Sequence, residues 1–159
     1  MVQTFQLCYC WKHKGEKQMA DKTISLEFDG YWREPAISGL PAESGIYCIY
    51  TCTHNQKEKT LSLKKLIYIG ESQDVKKRIS NHEKWDEWKK HQNKGEVICI
   101  SCAKVADGSR NRAEAAMIYK HKPPVNIEYV DCFPYDKTTI NTSGKNRLLK
   151  SQFTVLRDD

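Results

Sequence analysis

Apolar and polar positions alternate from Thr23 to Phe28, where Ile24, Leu26 and Phe28 share one parity and predict a strand. Asp29-Gly30 is turn chemistry, and Pro35, Gly39 and Pro41 mark a loop. Gly45 to Thr51 (GIYCIYT) is rich in β-branched and aromatic residues and reads as a buried strand, with Lys65 to Gly70 (KLIYIG) as the next. The polar stretch Thr53 to Thr60 between them predicts a hairpin and therefore an antiparallel pair. The period then lengthens. Ser72 offers an N-cap with Asp74 in the first turn, and Val75, Ile79 and His82, with Arg78 in the same stripe, predict an amphipathic helix. Trp85 and Trp88 keep a helical spacing toward a stop at Gly95. Val97 to Val105 reads as a further strand. A helix from about Arg110 to His121 packs through Ala113, Ala116, Met117 and Tyr119 and ends before Pro123-Pro124. Beyond Val125 the pattern shows turns, a Gly144 loop and a short Leu148-Leu149 segment. Residues 1–20 have no clear period, and there are no repeats. The expected class is α/β (α+β): one small antiparallel or mixed sheet of about three central strands, flanked by helices.

Length and composition narrow the class. The chain has 159 residues, enough for one domain with a real core. Its 39% hydrophobic and 29% charged residues are ordinary for a globular protein and exclude a disordered chain. No apolar run approaches the ~20 residues of a membrane span, and Met1 to Lys12 lacks the pattern of a signal peptide, so a cytoplasmic location is expected. The net charge of +6 is uneven. Residues 57–94 carry 11 Lys and Arg against 6 Asp and Glu, and residues 137–159 carry 5 against 2. Such clusters suit a phosphate-binding surface, or simply a solvated lysine face. The seven cysteines are odd in number, which disfavours a secreted disulfide framework. Zinc could be sought at Cys8 and Cys10 with His13, or at Cys99 and Cys102. An offset of three along a strand points the last two to opposite faces, so packed, reduced thiols are the better reading there.

Two tripeptides carry the chemistry: Gly45-Ile46-Tyr47 and Tyr68-Ile69-Gly70, their tyrosines 21 residues apart on the two predicted strands. Arg78 follows Tyr68 by ten residues, with His82 one helical turn later. Glu114 lies in the next predicted helix, and Asn126 lies twelve residues beyond it. Taken singly, each has an ordinary reading: a packing tyrosine, a surface arginine, a structural histidine, a solvated glutamate, a turn asparagine. Taken together and in this order, over roughly residues 44–127, they resemble the GIY-YIG nuclease family. The segment between the tyrosines is longer than in minimal members, and neither residues 1–43 nor 128–159 match a family motif. This divides the chain into an N-terminal extension (1–43) with one strand, a nuclease core (44–127) and a C-terminal extension (128–159) that could contact DNA.

The resemblance implies a metal-dependent DNA endonuclease. The residue types suit that chemistry. Glu114 can hold one divalent cation, Mg²⁺ or Mn²⁺, as a Lewis acid for a phosphoryl oxygen. Arg78 can grip phosphate through its planar fork, and His82 shares its helix face. The resemblance implies that a tyrosine hydroxyl takes the proton from water. Tyr47 is the preferred base, with Tyr68 orienting phosphate or water, although a tyrosine is a poor base unless cations lower its pKa from ~10. Asn126 would fix Glu114 or a water on its cation. Lys76, Lys77, Lys145 and Arg147 are candidate DNA contacts, and Trp85 and Trp88 are core or base-stacking residues. DNA is the expected partner, with a dimer required only if both strands are cut together. Repair, restriction and defence settings are all compatible with this pattern. The competing reading is a catalytically silent nucleic-acid-binding module on the same fold. A zinc-binding interaction protein built on the cysteines is the third.

Overall fold

A computed structural model describes residues 20–158. The Cys8, Cys10 and His13 metal candidate lies outside the described residues. The strands are β1 (Lys22–Arg33), β2 (Gly45–Asn55), β3 (Thr60–Ser72), β4 (Val97–Lys104), β5 (Thr138–Gly144) and β6 (Gln152–Val155), and the helices are α1 (Val75–Ser80), α2 (Trp85–Lys89) and α3 (Asp107–His121). A short 3-10 helix, Glu34–Gly39, joins β1 to β2.

The strands form one six-stranded sheet in the order β3-β2-β4-β1-β5-β6, twice the expected number. β2 pairs antiparallel with β3, as the hairpin pattern predicts, and with β4 along its other edge. β1 lies antiparallel to β4 and parallel to β5, so the sheet is mixed. Four of the six match predicted strands; the other two, β5 and β6, fall in the segment read as turns. Their sequence explains the difference: β5 is TTINTSG, polar in composition but rich in β-branched threonine. Its buried Thr138 and Thr142 hydroxyls donate to the carbonyls of Asp136 and Lys150. Gly144, read as the centre of a loop, closes this strand in the left-handed region (φ +72°), and a Cβ there would stand 2.3 Å from the Phe28 carbonyl oxygen.

Each sheet face buries its own cluster. Alternation sends Ile24, Leu26, Phe28, Ile46, Cys48, Tyr50 and Cys99 to the face that α3 covers with Ala113, Ala116 and Met117. Tyr47, Ile49, Ile100 and Cys102 meet Val75 and Ile79 of α1 and Trp88 of α2 on the other. Cys99 and Cys102 therefore belong to opposite clusters, as their strand spacing predicts. Both are free, as are Cys48 and Cys52, whereas Cys132 is disulfide-bonded.

The predicted helix after β3 is two short ones. Asp74, not Ser72, is the N-cap: its carboxylate accepts from the Lys77 N–H at 2.9 Å, while Ser72 Oγ receives the Asp74 N–H. The chain breaks at Asn81–Lys84, where His82 turns inward. α3 begins three residues earlier than expected, at Asp107. Buried Arg112 ties this helix to the far half of the sheet through Thr138 Oγ1 and the carbonyls of Ala20, Asp136 and Lys137.

Candidate active site

The β2–β3 pairing sets Tyr47 directly opposite Gly70. Tyr47 lies across that glycine so closely that a Cβ at Gly70 would come within 2.3 Å of the tyrosine hydroxyl. Gly45 is constrained in the same way by the Ala103 carbonyl oxygen at 2.4 Å. Both motif glycines are therefore demanded by close approach rather than by flexibility. Tyr68 is placed by a β-bulge. Ile49 faces Tyr68 and Tyr50 faces Leu66, leaving Ile67 as the extra residue and turning Tyr68 toward Tyr47 at 6.2 Å between ring centroids.

His82 is 5% exposed and sits against Tyr47, Tyr68 and Trp88, the last at 4.4 Å between centroids. Its Nδ1 accepts from the Lys84 backbone N–H at 3.1 Å, and its Nε2 lies 2.9 Å from the Tyr47 hydroxyl. A backbone N–H only donates, so the neutral ring carries its proton on Nε2 and donates it to Tyr47 Oη. Burial, then the Arg78 charge, lower the histidine to about 4, which keeps the ring neutral. His82 is thus a donor to the tyrosine oxygen, and the phenol's own proton is directed elsewhere.

Burial pushes the Tyr47 phenol well up, the neighbouring Tyr68 adds to this, and Arg78 opposes it. Tyr68 is half-buried and is raised to about 12, again chiefly by burial and then by the charge of Glu114. Arg78 acts on both hydroxyls, but its fork is taken: Nη1 and Nη2 donate to the two Glu83 oxygens at 2.6 and 2.9 Å. Glu114 makes no hydrogen bond or ion pair among the described residues. Burial, followed by the charges of Glu71 and Glu128, raises its carboxyl to about 8, with Arg110 pulling the other way. Arg110 itself donates to Glu71, to Asp107 and to Ser44 Oγ.

Five of the expected residues, Tyr47, Tyr68, Arg78, His82 and Glu114, thus share one electrostatic neighbourhood. Asn126 reaches it differently. Its Oδ1 accepts from the Ile69 N–H at 2.9 Å and its Nδ2 donates to the Ile69 carbonyl at 2.8 Å. The amide expected to fix Glu114 or a water on its cation holds the strand between Tyr68 and Gly70. Trp88 is wholly buried beneath His82 and is core, while Trp85 is half-buried with its indole N–H on the Ile79 carbonyl. Lys76 and Lys77 lie on α1, and Lys145 and Arg147 follow β5 as exposed side chains. Glu71, Glu83 and Arg110 escape sequence reasoning because a surface acid or base gives no periodic signal. Only their adjacency to Gly70, His82 and Glu114 could have drawn attention to them.

Glu114 is the residue that could hold a cation. Glu114 is an unpartnered, repelled carboxylate, and among the described residues no group of three or more His, Cys, Asp and Glu side chains could enclose an ion. Mg²⁺ is commonly held in this way, by one or two carboxylates together with substrate phosphate.

A family model described as "GIY-YIG catalytic domain" matches residues 44–140. A curated relative, the UvrABC system protein C of Methanococcoides burtonii, is 28% identical over 116 residues, covering 68% of this chain and 17% of that protein. The chain thus spans about a sixth of that relative's length. No solved structure matches it.

Proposed function

Because the chain belongs to the GIY-YIG family of nuclease-type catalytic domains, we propose that it is a DNA endonuclease that hydrolyses phosphodiester bonds with one divalent cation, Mg²⁺ or Mn²⁺. The observation that carries this reading is the convergence on one hydroxyl: His82 donates to Tyr47 Oη, and Arg78 and Glu114 act on the same phenol. A cation bound at Glu114 would supply Lewis acidity at a phosphoryl oxygen.

The chain's own residues do the rest. Tyr47 must first lose its phenol proton to solvent, which the positive charge of Arg78 and of a bound cation favours; the resulting phenolate, its oxygen held by the His82 N–H, then takes the proton of the attacking water. Tyr68, more exposed, orients phosphate or water. Arg78 grips the scissile phosphate once that phosphate displaces the Glu83 carboxylate, which has the same two-oxygen geometry. Asn126 acts by fixing the backbone of Ile69 and with it the position of Tyr68. Lys76 and Lys77, with Lys145 and Arg147 farther off, contribute phosphate contacts.

Glu114→Ala tests the reading. Single-turnover cleavage of a mixed panel of duplex, branched, flapped and single-stranded DNA should fall by at least about 10³-fold, while DNA binding is retained. Cleavage by Glu114→Ala at the wild-type rate in Mg²⁺ would show that the metal assignment is wrong. The panel also identifies the DNA structure that is cut, and retention of binding without any wild-type cleavage would favour the silent binding module.

A further inference from the structure

A second irregularity in β3 places charge on the catalytic face. Cys52 faces Leu63 and Thr51 faces Lys65, so Lys64 is an extra residue, just as Ile67 is three residues later, toward the site. Leu63 and Leu66 both pack into the cluster under α3. The two residues between them therefore turn to the opposite face. Lys65 pairs with Thr51, which has the same strand parity as Tyr47 and Ile49. The two bulges act alike: one presents Ile67 and Tyr68 on the site's face, the other presents Lys64 and Lys65 behind them.

Both lysines are exposed, on the outermost strand at that side of the sheet. Lys84, Lys89 and Lys104 are each paired with a glutamate, but neither Lys64 nor Lys65 makes an ion pair among the described residues. Glu96, whose carboxyl is lowered partly by Lys64, is already committed to the backbone N–H of Asn93 at 3.0 Å. At about 3.3 Å per residue, Lys65 lies about 10 Å from Tyr68 along the strand. That equals about three base-pair steps of DNA.

We propose that Lys64 and Lys65 form a phosphate subsite that holds the DNA backbone about three steps from the cleaved bond and aligns it along β3. The proposal rests on the nuclease reading and names the path of its substrate. Two ammonium groups on one face suit this role, because each neutralises a backbone phosphate without reading the base. The bulge gives them a fixed position relative to Tyr68 that surface lysines on a loop would lack.

The test is a salt series of affinity for a short duplex, with EDTA present so that no cleavage occurs. Wild type, Lys64→Gln/Lys65→Gln and Lys57→Gln/Lys59→Gln are compared, the last removing equal charge from the exposed hairpin tip. The Lys64/Lys65 pair should make the slope of log affinity against log salt shallower by up to about 1.8, and the tip pair by less than half of that. In Mg²⁺ the Lys64/Lys65 pair should also raise the DNA concentration giving half-maximal cleavage at least about fivefold, with the single-turnover rate at saturation little changed. If wild type binds and cleaves DNA but the Lys64/Lys65 pair shifts the slope no more than the tip pair, the subsite is overturned and the nuclease reading stands. If wild type neither binds nor cleaves any DNA, both fall.

Discussion

The two halves of the sheet obey different rules. In the half made of β2, β3 and β4, packing is set by chemistry. Two glycines are imposed by the close approach of Tyr47 and the Ala103 carbonyl, a neutral buried histidine donates to a phenol, and a half-buried carboxyl has no hydrogen-bond or ion-pair partner among the described residues. In the half made of β1, β5 and β6, buried polar groups are satisfied: the Thr138 and Thr142 hydroxyls meet carbonyls, and Arg112 donates to several main-chain oxygens. One half leaves its electrostatics unsatisfied. The other supplies the hydrogen-bonded frame that holds α3, and with it Glu114, in place.

The contrast can be broken with two substitutions. Gly70→Ala should displace the Tyr47 ring and lower single-turnover cleavage by about 10²-fold or more, at a stability cost of about 1–3 kcal/mol. Arg112→Met should do the reverse. It strands buried carbonyls and should cost about 3 kcal/mol in urea unfolding, while the folded fraction keeps a cleavage rate close to wild type. Equal effects of both on rate and stability would erase the distinction between the halves.

Within the catalytic half, the tyrosines should separate. Tyr47→Phe loses the oxygen that His82 addresses and should slow the chemical step by about 10²–10⁴-fold. Tyr68→Phe should slow it about tenfold. Single-turnover rates rank them, and two near-normal rates would end the tyrosine-base mechanism.

The third test uses pH. Burial and its acidic neighbours hold Glu114 near 8 in the folded chain, against 4.5 when unfolded, so the native state keeps an extra proton between those values and loses stability as pH rises through them. His82, held near 4 against 6.5, acts oppositely: its contribution is lost as pH falls from 6.5 toward 4. Of these two groups, Glu114 is the one that acts between pH 6.5 and 8. In EDTA the protein should lose about 2 kcal/mol over that window, and Mg²⁺ should flatten the slope. A slope indifferent to Mg²⁺ would count against Glu114 as the ligand.

The smallest effect is expected at the end of the framework half. Gly144 serves the Phe28 carbonyl and Lys145 N–H donates to it at 2.8 Å, so only the Lys145 and Arg147 side chains are free to meet DNA. Lys145→Ala/Arg147→Ala should weaken binding a few-fold and reduce the salt slope by no more than about 1.8. An unchanged affinity across the salt series would make this segment purely structural.

Sequence reading served the two halves unequally. The tyrosine strands, the hairpin and α3 were legible because their periods are clean and their residues bulky. Arg78, His82 and Glu114 were legible through order and spacing. β5 and β6 were not, because buried threonines look polar until their hydroxyl partners are known. The break between α1 and α2 was hidden because Trp85 and Trp88 keep a helical spacing across it. Asn126 was legible by position, but its bonds to Ile69 were not: a side-chain amide that caps a main-chain N–H and C=O of a distant strand leaves no trace in local pattern. Lys64 and Lys65 were missed because a bulge changes which way a residue points without changing the sequence around it.

Asn126 has a consequence for how the molecule lives among its own copies. The catalytic strand β3 is the outermost strand of its sheet, and such a strand offers a row of open main-chain groups to any other extended chain. Val125 N–H occupies the Ile67 carbonyl, and the Asn126 side chain occupies both groups of Ile69. The asparagine imitates one residue of a neighbouring strand and ends the row there. The rim beside the tyrosines is thereby closed to strand addition, and self-association by sheet extension is blocked where it would bury the catalytic surface.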